Sequence, residues 1–145
     1  MNKRIYIDMD DTICDFTKAH KRLRTPEMKY PQSQMDFFRK LEPIKDAVSS
    51  VKRLGETFDV WFLTRPSYLN PLCYTEKRLW IEDHFGLEWC NRLILCPDKS
   101  LMIGDYLIDD YPWPEFKGKQ IEFGSTLYPD WHRIVFKLNW EIETI

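Results

Sequence analysis

Three aspartates fall within four positions near the start of the chain, in Arg4-Ile5-Tyr6-Ile7-Asp8-Met9-Asp10-Asp11-Thr12. Arg4 to Ile7 is a short β-rich run, and residues i and i+2 of a strand face the same way. Past the strand end the chain turns, so Asp8 and Asp10 can converge on one point. Carboxylates packed that closely need a cation or a shared proton between them. Mg2+ is the natural companion, a hard cation that takes oxygen ligands and keeps several waters. A bare Asp-x-Asp would fit an acidic turn after an edge strand equally well. Asp-x-Asp-x-Thr placed directly after an apolar strand is a more specific pattern.

The elements that must position these acids can be read along the chain. Residues 4–8 form the first strand, and Ile13 to about Leu23 carries apolar residues at helical spacing until Thr25-Pro26 ends it. A short helix is expected around Met35, Phe37, Phe38 and Leu41. Pro43 opens a helix with Ile44, Ala47, Val48, Val51 and Leu54 on one stripe and Gly55 as its stop. Asp59-Val60-Trp61-Phe62-Leu63-Thr64 is nearly continuous apolar sequence, as a buried central parallel strand requires. A helix from Thr75 to Phe85 follows, then a strand at Leu93–Cys96. Either Leu101-Met102-Ile103 or Tyr106-Leu107-Ile108 supplies the fourth strand. Lys119 to Phe123 is the fifth, and Pro129 to Trp140 the closing helix. Alternating strands and helices imply an α/β fold with a parallel sheet covered on both faces. Ligands in such sheets bind at the carboxyl ends of the strands, near the reversal of strand order. The residues at those ends are Asp8 and Asp10, Thr64, and Asp105 or Asp109-Asp110. Acids with a threonine suit a Mg2+-assisted phosphate site.

With 145 residues the chain makes one domain, here taken as 1–145, and its 43% hydrophobic content excludes disorder. Lys plus Arg (21) nearly balance Asp plus Glu (23), which argues against a nucleic-acid polymer as partner and leaves room for a small anion. The cysteines Cys14, Cys73, Cys90 and Cys96 lack metal-site spacing and read as reduced thiols, mostly buried. No apolar leader precedes the first strand and no run reaches membrane-spanning length, so the expectation is a cytoplasmic protein with no membrane partner.

Asp8-Met9-Asp10-Asp11-Thr12 resembles the first motif of the haloacid dehalogenase (HAD) superfamily, and within it the chain is most similar to the 5'(3')-deoxyribonucleotidases. The resemblance runs over most of the chain. It implies a Rossmannoid three-layer sandwich with a small helical cap inserted at about 13–42. It also implies a Mg2+-dependent phosphatase of deoxyribonucleoside monophosphates. In that reading Asp8 is the nucleophile that forms an aspartyl-phosphate, and Asp10 is the general acid/base, also giving Mg2+ its main-chain carbonyl. Thr64 matches the second motif, where its hydroxyl meets a phosphate oxygen. Arg65, next to it, is a substrate contact or a solvated surface residue. Lys99, in Pro97-Asp98-Lys99-Ser100, looks like the third motif, a cation for the phosphoryl group. Lys77 matches another phosphate-holding position. Gly104-Asp105-Tyr106-Leu107-Ile108-Asp109-Asp110 looks like the fourth motif. It implies Asp110 as the metal ligand, with Asp109 in support and Asp105 as the alternative; Tyr111-Pro112 departs from the usual Arg-Pro.

The relatives' cap aromatics stack on the nucleobase, and Phe16, Phe37 and Phe38 occupy matching positions; packing within the cap is the other reading of those rings. The resemblance leaves a homodimer open as the assembly state. Two further functions compete with the leading one: a HAD phosphatase of another small phosphate ester, and a non-catalytic nucleotide- or Mg2+-binding module.

Overall fold

Five strands, β1 (Arg4–Ile7), β2 (Asp59–Thr64), β3 (Leu93–Leu95), β4 (Tyr106–Asp109) and β5 (Lys119–Glu122), make one sheet in the order β3-β2-β1-β4-β5. Every neighbouring pair is parallel. The computed structural model describes residues 2–143; Met1, Thr144 and Ile145, counted in the 1–145 span, lie outside the described residues. The chain steps outward from β1 through β2 to β3 and then crosses to β4 on the other side. Strand order therefore reverses between β1 and β4, and the crevice beyond their carboxyl ends is where ligands bind in such sheets.

The fourth strand is the Tyr106 run. Tyr106, Leu107 and Ile108 are buried between β1 and β5, whereas Leu101 and Ile103 of the competing run are exposed. Asp105 thus falls at the amino end of β4. There its Oδ2 accepts the Arg4 N–H at 2.8 Å, a strand's length from Asp109 and Asp110.

Side-chain alternation sorts the core. Ile5, Ile7, Val60, Phe62, Tyr106, Ile108 and Ile121 face one side, together with buried residues of all four α-helices. These are α1 (Phe16–Leu23), α2 (Ala47–Leu54), α3 (Leu72–Phe85) and α4 (Trp131–Glu143). Tyr6, Leu63 and Leu107 face the other side and pack on Cys96, Met102, Trp113 and Phe116. Right-handed crossovers send the β3–β4 and β4–β5 connections to that second face. Neither carries an α-helix, and a 3-10 turn at Lys99–Leu101 is the regular piece of that third layer.

All four α-helices differ in their bounds from the periodicity, and for two of them the local reason is visible. Helix α1 starts at Phe16 rather than Ile13, because the N–H groups of Thr12, Ile13 and Cys14 all turn back onto the Met9 carbonyl. Helix α2 starts at Ala47 rather than Pro43, because Asp46 takes the left-handed conformation (φ 63°). Helix α3 begins earlier, at Leu72, and α4 runs from Trp131 past Trp140. The expected short helix around Met35–Leu41 is a series of turns after a 3-10 turn at Pro31–Ser33. Asp36 stands there at φ 68°, which ends any helical run.

The inserted segment leaves and re-enters the sheet layer at one place. Asp15 N–H donates to the Glu42 carbonyl and Ile44 N–H to the Ile13 carbonyl, both at 2.8 Å, with Cys14 bridged to Pro43. These paired limbs bound the segment that the sequence reading expects to be a cap.

Candidate active site

β1 ends at Ile7, and Asp8 continues it by one residue, its N–H donating to the Ile108 carbonyl at 2.9 Å. That bond aligns the turn after β1 with the end of β4 and brings their acids together. Carboxylate oxygens of Asp8, Asp109 and Asp110 lie within 4.8 Å of one another. Lys99 is buried among them and donates to Asp8 Oδ1 and Asp109 Oδ2, both at 2.6 Å. The Thr12 hydroxyl lies 3.3 Å from Asp8 Oδ2 and 3.3 Å from Asp110 Oδ1.

A second cluster adjoins the first. Lys77 of α3, also fully buried, directs its Nζ to Asp10 Oδ2 at 3.1 Å, to the Arg65 carbonyl at 3.0 Å, and to the Thr64 hydroxyl. The Cys14 thiol reaches Asp10 Oδ1 at 3.6 Å. Asp10 keeps 28% of its side chain exposed, so it is held on two sides and open on a third. Asp11 leaves the group altogether. Its left-handed backbone (φ 61°) turns its carboxylate to the Thr17 N–H and hydroxyl at the start of α1. The crowding of three acids in four positions is thus relieved by sending one to cap a helix.

The electrostatics show what the site lacks. Among the described residues Asp10 pairs with Lys77, and Asp8 and Asp109 with Lys99, so four acids meet two ammonium groups. Burial pushes the Asp8 carboxyl up, with Lys99 opposing and Asp109 reinforcing. Desolvation, then the bond with and charge of Asp8, push Asp110 up to about 8. Burial pushes the Cys14 thiol well up, with Asp10 adding to it. Burial, the largest single influence, would lower the Lys77 ammonium, but the charges of Asp10, Cys73, Asp8 and Cys14 together outweigh it and the net shift is upward.

Asp8, Asp10, Thr64, Lys77, Lys99, Asp109 and Asp110 are therefore gathered at one end of the sheet. Arg65 contributes its carbonyl, while its side chain is exposed on the loop after β2. The aromatic slot expected in the cap is not open. Phe37 and Phe38 are buried, and Phe16 packs on both, with centroids 5.3 Å and 6.1 Å away. Phe37 and Phe38 stand edge to face at 5.1 Å, an arrangement that fills space between rings. Only Phe16 is half exposed. Phe38 meets the site from beneath, its ring centroid 5.3 Å from Lys77 Nζ.

Two neighbours have no counterpart in the sequence reading. Trp113 places its ring 6.0 Å from Lys99 Nζ. Glu76, next to Lys77, is a buried carboxylate bonded to the cap's main chain. An acid beside a lysine on a helix reads as solvated surface, and main-chain partners leave no mark in sequence.

Comparison with known proteins bears on this geometry. Residues 27–142 match the family described as 5' nucleotidase, deoxy (pyrimidine), cytosolic type C protein. The chain belongs to that family. Its members are phosphoric monoester hydrolases of the 5'-nucleotidase type. A Vibrio phage KVP40 protein assigned to the 5'(3')-deoxyribonucleotidases is 35% identical over 94% of this chain and 85% of its own length. The human cytosolic-type 5'(3')-deoxyribonucleotidase is 35% identical over 69% of this chain and 47% of its own. The mouse mitochondrial one is 36% identical over 70% and 43%. The chain thus spans less than half of these mammalian relatives and most of the phage one. A solved haloacid dehalogenase-like hydrolase structure from Burkholderia xenovorans, 12% identical, covers 76% of this chain and 73% of its own at a TM-score of 0.45. No helix among the described residues is long and apolar enough to cross a membrane.

Proposed function

We propose that the chain hydrolyses deoxyribonucleoside monophosphates with Mg2+, through an aspartyl-phosphate on Asp8. The observation that carries this reading is the buried Asp8 carboxylate, fixed by Lys99 at 2.6 Å near an Asp10 that stays partly exposed. Family membership supplies the reaction class, and the relatives' names supply the substrate class.

The donor set fits a hard divalent cation. The clustered acids Asp8, Asp109 and Asp110 offer oxygen ligands, and Asp110, which burial and Asp8 keep protonated, can give up its proton to a cation. Both oxygens of Asp109 are engaged, Oδ2 by Lys99 and Oδ1 by the Tyr111 N–H at 3.0 Å. Asp110 meets the Thr12 hydroxyl and Asp8, the other acid a cation would bind. Asp8, Asp110 and the main-chain carbonyl of Asp10 would therefore hold Mg2+, with Asp109 fixing Lys99. Bound there, the ion supplies charge neutralisation to the phosphoryl oxygens.

The protein's own groups carry the rest. With Oδ1 held by Lys99, Asp8 Oδ2 attacks phosphorus; the Asp8–phosphorus bond forms and the ester bond breaks. Asp10 gives its proton to the departing nucleoside oxygen. As a carboxylate it then takes a proton from a water that attacks the same phosphorus. The Asp8–phosphorus bond breaks, inorganic phosphate leaves, and both aspartates return to their starting states. The Thr64 hydroxyl and the Lys77 and Lys99 ammoniums stand ready to bind the phosphoryl oxygens, whose charge peaks between the two steps.

The balanced charge favours a small nucleotide over a polymer, with the cytoplasm as workplace and with either a monomer or a homodimer as the working form. The test is hydrolysis of dUMP and dTMP by wild type and Asp8→Asn, with and without EDTA. Wild type should release phosphate only with Mg2+, and Asp8→Asn should release none. Appreciable turnover by the purified variant would remove Asp8 from its role.

A further inference from the structure

Helix α3 fastens the cap through a stripe of residues spaced i, i+4 and i+7, which share one helix face. Glu76, the first, is 5% exposed, and its carboxylate accepts three main-chain N–H groups of the cap. These are Asp36 on Oε2 at 2.9 Å, and Phe38 and Arg39 on Oε1 at 3.1 and 3.4 Å. Asp36 at φ 68° makes this possible, since a left-handed residue among right-handed ones turns successive N–H groups into one concavity for an anion. Trp80, the second, donates its indole N–H to the Leu41 carbonyl at 2.8 Å. Asp83, the third, pairs with Arg39 at 3.1 Å on the surface. The residue after Glu76 is Lys77, which holds Asp10 and Thr64. Phe38 closes the circuit, with its N–H on Glu76 and its ring 5.3 Å from Lys77 Nζ.

We propose that Glu76 is a positioning residue that sets the cap against the acid/base group, so that the cap is a fixed wall of the substrate site and not a swinging lid. Swinging the cap would strip a buried carboxylate of its three donors, a large cost for a charged group. It would also break the paired limbs at Asp15–Glu42 and Ile13–Ile44. With the cap fixed, the distance from its inner face to Asp10 is set by one turn of α3. Only a leaving group of the right length reaches both. Glu76 thereby selects the nucleoside part without touching it.

Two measurements test this. In the wild-type protein, hydrogen exchange of the Asp36, Phe38 and Arg39 amides should be as slow as that of the α3 interior; exchange at loop rates would overturn the proposal whatever the enzyme hydrolyses. This first arm does not depend on the phosphatase reading, whereas the kinetic arm rests on it. In Glu76→Gln the amide NH2 meets a main-chain donor where an acceptor stood. Exchange of the cap amides should rise about tenfold. KM for dUMP should rise about five- to tenfold with kcat within about threefold, since the lost interaction orients the nucleoside. The kcat/KM for p-nitrophenyl phosphate, which has no nucleoside to place, should stay within about twofold. Trp80→Phe, which removes only the indole donor, should move the same readouts in the same direction by less. Equal loss on both substrates, or cap amides in folded Glu76→Gln that exchange as in wild type, would reduce Glu76 to a stabilising contact.

Discussion

Trp131 donates its indole N–H to the Thr12 carbonyl at 2.8 Å, and both residues are fully buried. The final helix is thereby fastened to the turn that carries the first acidic motif. Trp131→Phe removes the donor and leaves that carbonyl unpaired, a cost of about 1–3 kcal/mol. The melting temperature should fall by roughly 3–10 °C for a domain of this size. An unchanged melting temperature would show that another donor replaces the indole.

Much of this arrangement could be read from the chain because strand ends and apolar runs are strong signals. Val60 to Leu63 reads as a buried central strand, which delivers Thr64 to the sheet's carboxyl edge, although Trp61 stays partly exposed. The choice between Leu101-Met102-Ile103 and Tyr106-Leu107-Ile108 was not legible, because both are three-residue apolar runs. It is settled by which of them β1 and β5 bury. Left-handed aspartates explain the other departures. Asp11, Asp36 and Asp46 each break a pattern that periodicity would have continued. Two of them then aim polar groups that matter: Asp11 caps α1, and Asp36 opens the concavity that Glu76 fills.

Lys99 and Lys77 should differ sharply when removed. Lys99 bridges two buried carboxylates, so Lys99→Met leaves uncompensated charge inside, which costs about 3–5 kcal/mol. Lys77 pairs with Asp10, which is 28% exposed and can recover water, so Lys77→Met should cost less. Urea denaturation at pH 7.5 and at pH 5 reads both effects. The Lys99→Met loss should shrink at pH 5 as the stranded acids take up protons. Equal losses for the two variants would contradict the different burial of their partners.

Metal binding should release a proton. Without a cation, Asp110 titrates at about 8, against 3.8 for an ordinary aspartate. Its folded value is raised, so its contribution to stability is complete below 3.8 and is lost as pH climbs through about 8. The metal-free protein should therefore become less stable from pH 6 to pH 9, by an amount read from urea midpoints. A cation at Asp8 and Asp110 displaces the proton, so Mg2+ should flatten that slope, bind more tightly as pH rises, and release a proton in calorimetry at pH 7. Asp110→Asn should reduce both the slope and the proton release, leaving only what Asp8 contributes. Binding that releases no proton would place the cation elsewhere.

Of Phe16, Phe37 and Phe38, Phe16 alone is partly exposed, with the His20 ring stacked on it at 5.7 Å, which makes it the place to ask whether this segment reads a base. Phe37 and Phe38 pack against Phe16 and His20 stacks on it, so a base would stack on Phe16 on one side only, in the place His20 now takes. One-sided stacking of a base on an aromatic ring is worth about 1–3 kcal/mol and tolerates any base. Phe16→Ala should therefore raise KM for dUMP and dAMP alike, by about fivefold or more, with kcat nearly unchanged. Phe37→Leu trims a ring that no ligand reaches. It should lower the melting temperature and leave KM within about twofold, since it loses packing alone. The pair of variants separates the two roles of these rings. If Phe16→Ala also lowers only the melting temperature, all three rings are cap core and the nucleoside is held by polar groups instead.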